Sequence, residues 1–258
     1  MKSNSLRYPV LQQSLKVIRE IAPNSVSQII DIGAQRKTDF LMDVFFDCPH
    51  HLFEPDKTYH QALEKNYLDR QIKYTLHKIA LSDEDGLLYL HSTSDDGSGN
   101  ITHAQIKPER DENLPNLVGI EVVDTKRLDS VFKKETLNDL SYLIKLDVDG
   151  VEEKIINGGA DVIGGASFIV IEASIGRQDL CSRVGLLEQH GFRIFDICDN
   201  AYYYGQLALV DLVLINNRLR EKEIKFRPWE FSDGKVVWNK WQHGFQDLTH
   251  FLIDDPYS

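Results

Sequence analysis

Between residues 26 and 217 the chain alternates short apolar runs with segments of helical spacing, and several of the apolar runs end on an acidic residue. The runs "VSQIIDIGA" (26–34), "HHLFEPD" (50–56), "IKYTLHKIALS" (72–82), "SYLIKLDVD" (141–149) and "SFIVIEAS" (167–174) read as buried strands. Helical spacing occupies "TDFLMDVFF" (38–46), "KTYHQALEKNYLD" (57–69), "RLDSVFKKE", "VEEKIINGG" and "LCSRVGLLEQHG" (180–191). Alternation of this kind predicts βαβ units, hence an α/β fold with a mostly parallel sheet and helices on both faces. In such sheets ligands bind outside the carboxyl ends of the strands, where strand order reverses. The acidic strand ends, Asp31, Glu54, the Asp147/Asp149 pair and Glu172, are therefore where a site is expected.

Further strands are read at "GLLYLHS" (86–92), "VGIEVVDT" (118–125), "FRIFDICD" (192–199) and "LALVDLVLINN" (207–217). The polar stretch 93–115, rich in Gly, Asn and Asp, is too long for an idle connection and reads as a substrate-loop insertion. These elements divide the chain into an N-terminal helical segment (1–25), a main domain (26–217) and a C-terminal extension (218–258). The extension holds all three tryptophans, Trp229, Trp238 and Trp241. Such aromatics suit sugar stacking, a subunit contact in a homodimer, or packing over the sheet edge. "DNAYYYGQL" (199–207) brings three tyrosines near the last turn as a possible acceptor wall.

Charge narrows the partners. Lys and Arg number 29 against 40 Asp and Glu, a net charge of −11. That balance argues against binding nucleic acid or anionic membrane. Cys48, Cys181 and Cys198 form no CxxC pattern, and no run is long and apolar enough to span a bilayer. With no secretory h-region at the start, the expectation is a soluble cytoplasmic protein.

"DIGA" (31–34) and Glu54 form the first chemical constellation. Gly33 allows close backbone approach to a ligand, and an acid about 20 residues on, at the next strand end, can hold ribose hydroxyls. A dinucleotide site would need G-x-G-x-x-G, whereas Gly33 is followed by "AQRKTD". A short-chain dehydrogenase would need Tyr and Lys four apart on a helix. Tyr74 and Lys78 lie in a strand-like stretch, which holds them about 13 Å apart.

The segments "IIDIGAQ", "HHLFEPD", "HKIALSDEDG", "DTKRLDSVF", "YLIKLDVDGVEEKIINGGADVI" and "FIVIEAS", over roughly residues 26 to 215, resemble the FkbM family in order and spacing. These are S-adenosylmethionine-dependent O-methyltransferases, often acting on sugar hydroxyls of natural products and glycans. The resemblance implies a Rossmann-like class I methyltransferase fold, a seven-stranded sheet whose last strand, "LALVDLVLI", is antiparallel. It also implies a small-molecule or glycan acceptor. Cofactor contacts carry over to Asp31, Gly33, Ala34 and Glu54, and to Ala80, Leu81 and Ser82 beside the adenine. One departure stands out. The family's first loop reads GAN-x-G, and this chain has Gln35 and Lys37 at those positions. Lys37 is strained if its φ is positive; otherwise it swings to solvent. A loop that weakens cofactor binding would leave a catalytically weak accessory protein.

Asp147 and Asp149 share a strand face, and Glu152 and Glu153 follow in a first helical turn, where negative charge is favourable. Asp149 either caps that helix or joins Asp147 in the site. Neighbouring strands lie about 4.8 Å apart, so Asp147 or Asp149 with Glu172 could hold Mg²⁺ and acidify a bound alcohol. The other route to proton removal is a general base, for which His103 in "SGNITHAQ" is best placed. His50 and His51 precede a strand and read as structural.

Overall fold

The structure is a computed structural model that describes residues 10–94, 101, 103–132, 137, 139, 141–176, 179–222, 230–232 and 235–237. The chain begins with α1 (Leu11–Ile21), β1 (Gln28–Ile32), α2 (Asp39–Val44), β2 (His50–Phe53), α3 (Lys57–Asp69) and β3 (Tyr74–His77). Next come four strands, β4 (Ala80–Leu81), β5 (Gly86–Thr93), β6 (His103–Lys107) and β7 (Leu117–Lys126). After α4 (Leu128–Val131) the alternation resumes with β8 (Tyr142–Leu146), α5 (Glu152–Gly158), α6 (Ala160–Gly165), β9 (Phe168–Ser174) and α7 (Asp179–Gln189). The long β10 (Phe192–Tyr203) and β11 (Gln206–Asn216) form a hairpin, followed by α8 (Asn217–Lys222) and the short pair β12 (Glu230–Ser232) and β13 (Lys235–Val237).

The main sheet has seven strands in the order β3-β2-β1-β8-β9-β11-β10. All neighbours run parallel except β11, which is antiparallel to both β9 and β10. This is the sheet that the family resemblance implies. Its central strands are mostly apolar because successive residues feed opposite layers. Ile29, Leu143, Phe168 and Val170 pack under α1 and α2 with Leu15, Ile18 and Phe45. Ile30, Ile144, Ile169 and Ile171 pack on the other face with Leu128, Ile155, Ile163 and Leu187, from α4 to α7. No helix among the described residues is long and apolar enough to cross a membrane.

A second sheet, of four strands in the order β4-β7-β5-β6, is inserted between β3 and β8. It corrects two sequence readings. The single strand expected over 72–82 is two: β3 ends on the main sheet, and Ala80 and Leu81 join the second by pairing with Thr125 and Lys126. The expected loop over 93–115 contains β6, which pairs with β5 from Tyr89↔Lys107 to Thr93↔His103. Five residues with polar side chains at 103, 105 and 107 give too weak a pattern to be seen in sequence. Gly158 and Gly159 end α5, as read from the sequence, and lead straight into α6. A Cβ on Gly158 would lie 2.2 Å from the Ser82 carbonyl oxygen, and one on Gly159 2.8 Å from Leu128 Cβ. These glycines serve close packing. The three tryptophans of the C-terminal extension lie outside the described residues.

Candidate active site

β1 lies between β2 and β8, so the chain leaves it one way and later returns on the other side. The strand order reverses there, and the carboxyl ends of these three strands define a cleft. Gly33 turns the chain out of β1 at φ +83°, and a Cβ on it would lie 2.0 Å from the Asp147 carbonyl oxygen. Its N–H donates to the Phe53 carbonyl at 3.0 Å, and the Asp147 N–H donates to that of Ile32 at 3.1 Å. The three strand ends are thereby tied together, and only glycine fits the turn.

Beneath this turn sits Lys145, which the sequence reading passed over. Its ammonium donates to the Gly33 carbonyl at 2.8 Å and pairs with Asp31 at 3.3 Å and Asp147 at 3.2 Å. Burial opposes its charge, but the carboxylates of Asp31 and Asp147 overcome that and hold its pKa above the ordinary lysine value. The signal was available. A lysine inside "LIKL", a strand buried on both faces, must find carboxylates nearby.

Glu54 ends β2 and is 4% exposed. Its two oxygens accept the backbone N–H groups of Gln35 and Asp56, each at 2.8 Å. Burial, outweighing these two donors, pushes its pKa up to about 7. Glu54 forms the polar end of a cavity at these strand ends. Phe53, Ile79, Leu81, Leu90 and Ile106 supply apolar walls, and Gly33, Tyr59, Ala80, Asp147 and Asp149 complete the lining.

Of the expected cofactor contacts, Gly33, Glu54, Ala80 and Leu81 thus meet around one cavity. Asp31, Ala34 and Ser82 do not line it. Asp31 is fully buried, accepting the Thr38 hydroxyl at 2.6 Å and facing Lys145. Ala34 packs with Met42 and Leu52, and the Ser82 N–H donates to the Lys126 carbonyl at 3.0 Å. Lys37 also stays clear, its ammonium 2.6 Å from Asp39. The strained residue of this loop is Gln35, at φ 46°. Asparagine tolerates that conformation better.

A second, larger cavity of about 400 Å³ adjoins the first, and Val148 and Asp149 line both. Its lining is polar, with His103, Gln105, Glu152, Glu172, Asp179 and Arg183. Asp149 does not cap α5, whose N-cap is Val151 with no side-chain bond. Its carboxylate reaches across to β6, 3.2 Å from His103 Nδ1 and accepting the Ala104 N–H at 2.9 Å. Arg183, almost fully buried, pairs with Glu152 at 2.7 Å and donates to the Glu172 carbonyl.

Glu172 stands opposite Asp211, one strand further on. Burial raises both carboxyl pKa values, helped for Glu172 by Asp147 and Asp149 and for Asp211 by Asp147, Asp199 and Glu172. Asp211 is pushed up to about 7. It too was legible, as an isolated acid in "LVDLVL". Tyr202, Tyr203 and Tyr204, expected as an acceptor wall, are exposed at the β10–β11 turn and line neither cavity. Among the described residues no three His, Cys, Asp or Glu side chains come together as a metal-binding group. Of the two residues expected to hold Mg²⁺, Asp147 is paired with Lys145.

The model of the "Methyltransferase FkbM domain" matches residues 31–194. The chain is a member of the FkbM methyltransferase family. The 2-O-methyltransferase NoeI of Sinorhizobium fredii is 31% identical over 178 residues, covering 62% of this chain and 70% of that protein. Solved structures similar to it include an rRNA methylase of Streptococcus thermophilus, at 12% identity and a TM-score of 0.46, covering 82% of this chain and 98% of that one. A precorrin-6y C5,15-methyltransferase of Geobacter metallireducens GS-15 matches at 13% identity and a TM-score of 0.41, covering 79% and 86%.

As a family member the protein is an S-adenosylmethionine-dependent methyltransferase, and the residues that line the first cavity could hold that cofactor. Each oxygen of Glu54 holds one backbone donor and keeps a lone pair for a ribose hydroxyl. The apolar walls suit adenine, and Asp147 offers a carboxylate to the cationic end of the ligand.

Proposed function

We propose that this FkbM methyltransferase methylates a hydroxyl group of a sugar-containing small molecule or glycan. The observation that supports this is the pair of cavities meeting at Val148 and Asp149, one largely apolar with a buried carboxylate, the other polar. The name of the relative NoeI, a 2-O-methyltransferase, points to the same kind of acceptor atom. The bound cofactor supplies an electrophilic methyl group. Glu54 holds its ribose, Gly33 admits its backbone-facing side, and Asp147 balances its positive charge. The acceptor lies in the second cavity. There Asp149 holds His103 at 3.2 Å, and the imidazole takes the hydroxyl proton. Alignment of oxygen and methyl group supplies the rest of the acceleration.

Lys37 pairs with Asp39 and does not line the first cavity, which favours the enzyme over the accessory-protein reading. The test is incubation with ¹³C-methyl-labelled S-adenosylmethionine and a panel of methyl hexosides and aliphatic amines. New O-methyl resonances are expected. His103→Ala should lower turnover by about 100-fold, the low end for positioned acid–base groups, and Asp147→Asn should weaken cofactor binding. Methylation of the amines alone would sink the proposal.

A further inference from the structure

We propose that β6 is the partition between the cofactor and acceptor cavities, and that Gln105 on its outer face is a specificity-determining residue for an uncharged acceptor oxygen. The assignment rests on the acceptor reading above. Successive side chains of a strand point to opposite faces, and here the two faces look into different cavities. Ala104 and Ile106 line the cofactor cavity, while His103 and Gln105 line the acceptor cavity. The neighbouring β5 follows the same division, with Leu90 on the cofactor side and Thr93 on the acceptor side.

One strand is thus the whole thickness of the wall. Asp149 fixes its position, gripping the Ala104 N–H at 2.9 Å and lying 3.2 Å from His103 Nδ1, at the point where the cavities meet. A shift of β6 by one residue would exchange every side chain between the two cavities, so this clamp also sets the register.

The donors that line the acceptor cavity include the hydroxyls of Thr93 and Ser174 and, with two N–H bonds, the amide of Gln105. Asp149, Glu152, Glu172 and Asp179 offer oxygens that accept hydrogen bonds when ionised. Arg183 directs its guanidinium at Glu152 and at the Glu172 carbonyl. A sugar hydroxyl both donates and accepts. The carboxylates can take its hydrogen, but its oxygen needs a donor. Gln105 is the one side-chain amide among the described lining residues, and its NH₂ group carries two donors.

The experiment compares Gln105→Leu with Ile106→Ala, using methyl hexosides and their monodeoxy analogues as acceptors. Gln105→Leu should lower kcat/KM for the methylated hexoside by about tenfold, the loss of one buried hydrogen bond. It should also erase the penalty for removing the hydroxyl that Gln105 contacts, while the Kd for S-adenosylmethionine stays within about twofold. Ile106→Ala should do the reverse, weakening the cofactor by several-fold and leaving acceptor KM unchanged. Gln105→Asn, which keeps the amide, should retain the discrimination at reduced rate, and it stands in if the leucine variant fails to fold. Loss of cofactor affinity in Gln105→Leu equal to its loss of acceptor affinity overturns the partition. Unchanged kcat/KM for every acceptor overturns the role of Gln105 alone. If the wild-type protein methylates no hexoside, the acceptor reading falls and the assignment falls with it.

Discussion

The two cavities, proposed above to take cofactor and acceptor, share Val148 and Asp149 but differ in chemistry. The first has apolar walls, a glycine turn and one buried carboxylate whose oxygens are already steadied by backbone donors. The second gathers Asp149, Glu152, Glu172 and Asp179 around Arg183, with Asp211 behind them opposite Glu172. A site that must fit one ligand shape can be built from packing and a few hydrogen bonds. A site that must handle a proton keeps ionisable groups where burial disfavours their charge. Substitutions in the first cavity should therefore lose binding. Those in the second should trade function for stability.

The largest effect is expected at the glycine turn. Gly33→Ala places a methyl group 2.0 Å from the Asp147 carbonyl oxygen at a backbone conformation of φ +83°. The strand ends must separate, and cofactor affinity should fall by about 100-fold or more in calorimetry, equivalent to the upper range of local backbone strain. Near-normal binding would mean that the loop adapts and the three strand ends are not one rigid unit.

Glu54→Ala comes next, with an expected loss of about 1.5–3 kcal/mol in cofactor binding, the range for hydrogen bonds to a charged group. The pH dependence carries the same signature. With its pKa pushed up to about 7, Glu54 ionises as pH rises through neutrality. The carboxylate is the better acceptor for two hydroxyls, so affinity should tighten by about tenfold from pH 6 to pH 8. Glu54→Gln should flatten that profile.

Asp211→Asn should act in the opposite sense, on stability. The folded pKa of Asp211 is pushed up to about 7, against about 3.9 in an unfolded chain. Below pH 4 both states are protonated and the group is neutral to folding. Between pH 4 and 7 the folded state retains a proton that the unfolded chain has released, so its contribution turns against folding as pH rises. The variant should be more stable by about 1–3 kcal/mol at pH 8, allowing for partial exposure, and unchanged near pH 4. Denaturant titration at the two pH values measures this. Equal stability at both would show that the acidic cavity carries no such cost, and the contrast between the cavities would collapse.

The smallest effect is expected for Lys37→Gly. The side chain is half exposed and paired with Asp39, so cofactor affinity and stability should both stay within about 0.5 kcal/mol of wild type. A marked loss of affinity would bring Lys37 back into the site.

The same contrast explains what could be read in advance. Gly33, Glu54 and the paired aspartates lie at the ends of apolar runs, and strand geometry alone places such ends on one edge of a parallel sheet. Lys145 and Asp211 sit inside buried strands, where a charge is a local anomaly whose partner is on another strand. Sequence spacing shows the anomaly without showing the partner. β6 was hidden for a different reason. Its alternation is only five residues long with two apolar positions, Ala104 and Ile106, inside a long polar stretch. Gln35 shows a further limit, since its positive φ becomes visible only once the backbone is drawn.

The inserted sheet has a consequence for how the molecule forms. β1 pairs with β8 beginning at Gln28↔Tyr142, across a loop that holds α2, α3 and the entire second sheet. Closing so long a loop is costly in entropy and makes the central pairing a late, non-local event. During synthesis the first strands emerge well before their central neighbour. The Gly33 turn, with its donors and its buried acid, is therefore left half-finished until Lys145 and Asp147 arrive to complete it. A cofactor that binds only the completed arrangement would draw the chain toward it by mass action. Refolding with S-adenosylmethionine present should raise the yield of native protein without speeding the earliest phase, because the ligand has nothing to hold until the last strand of its site is in place.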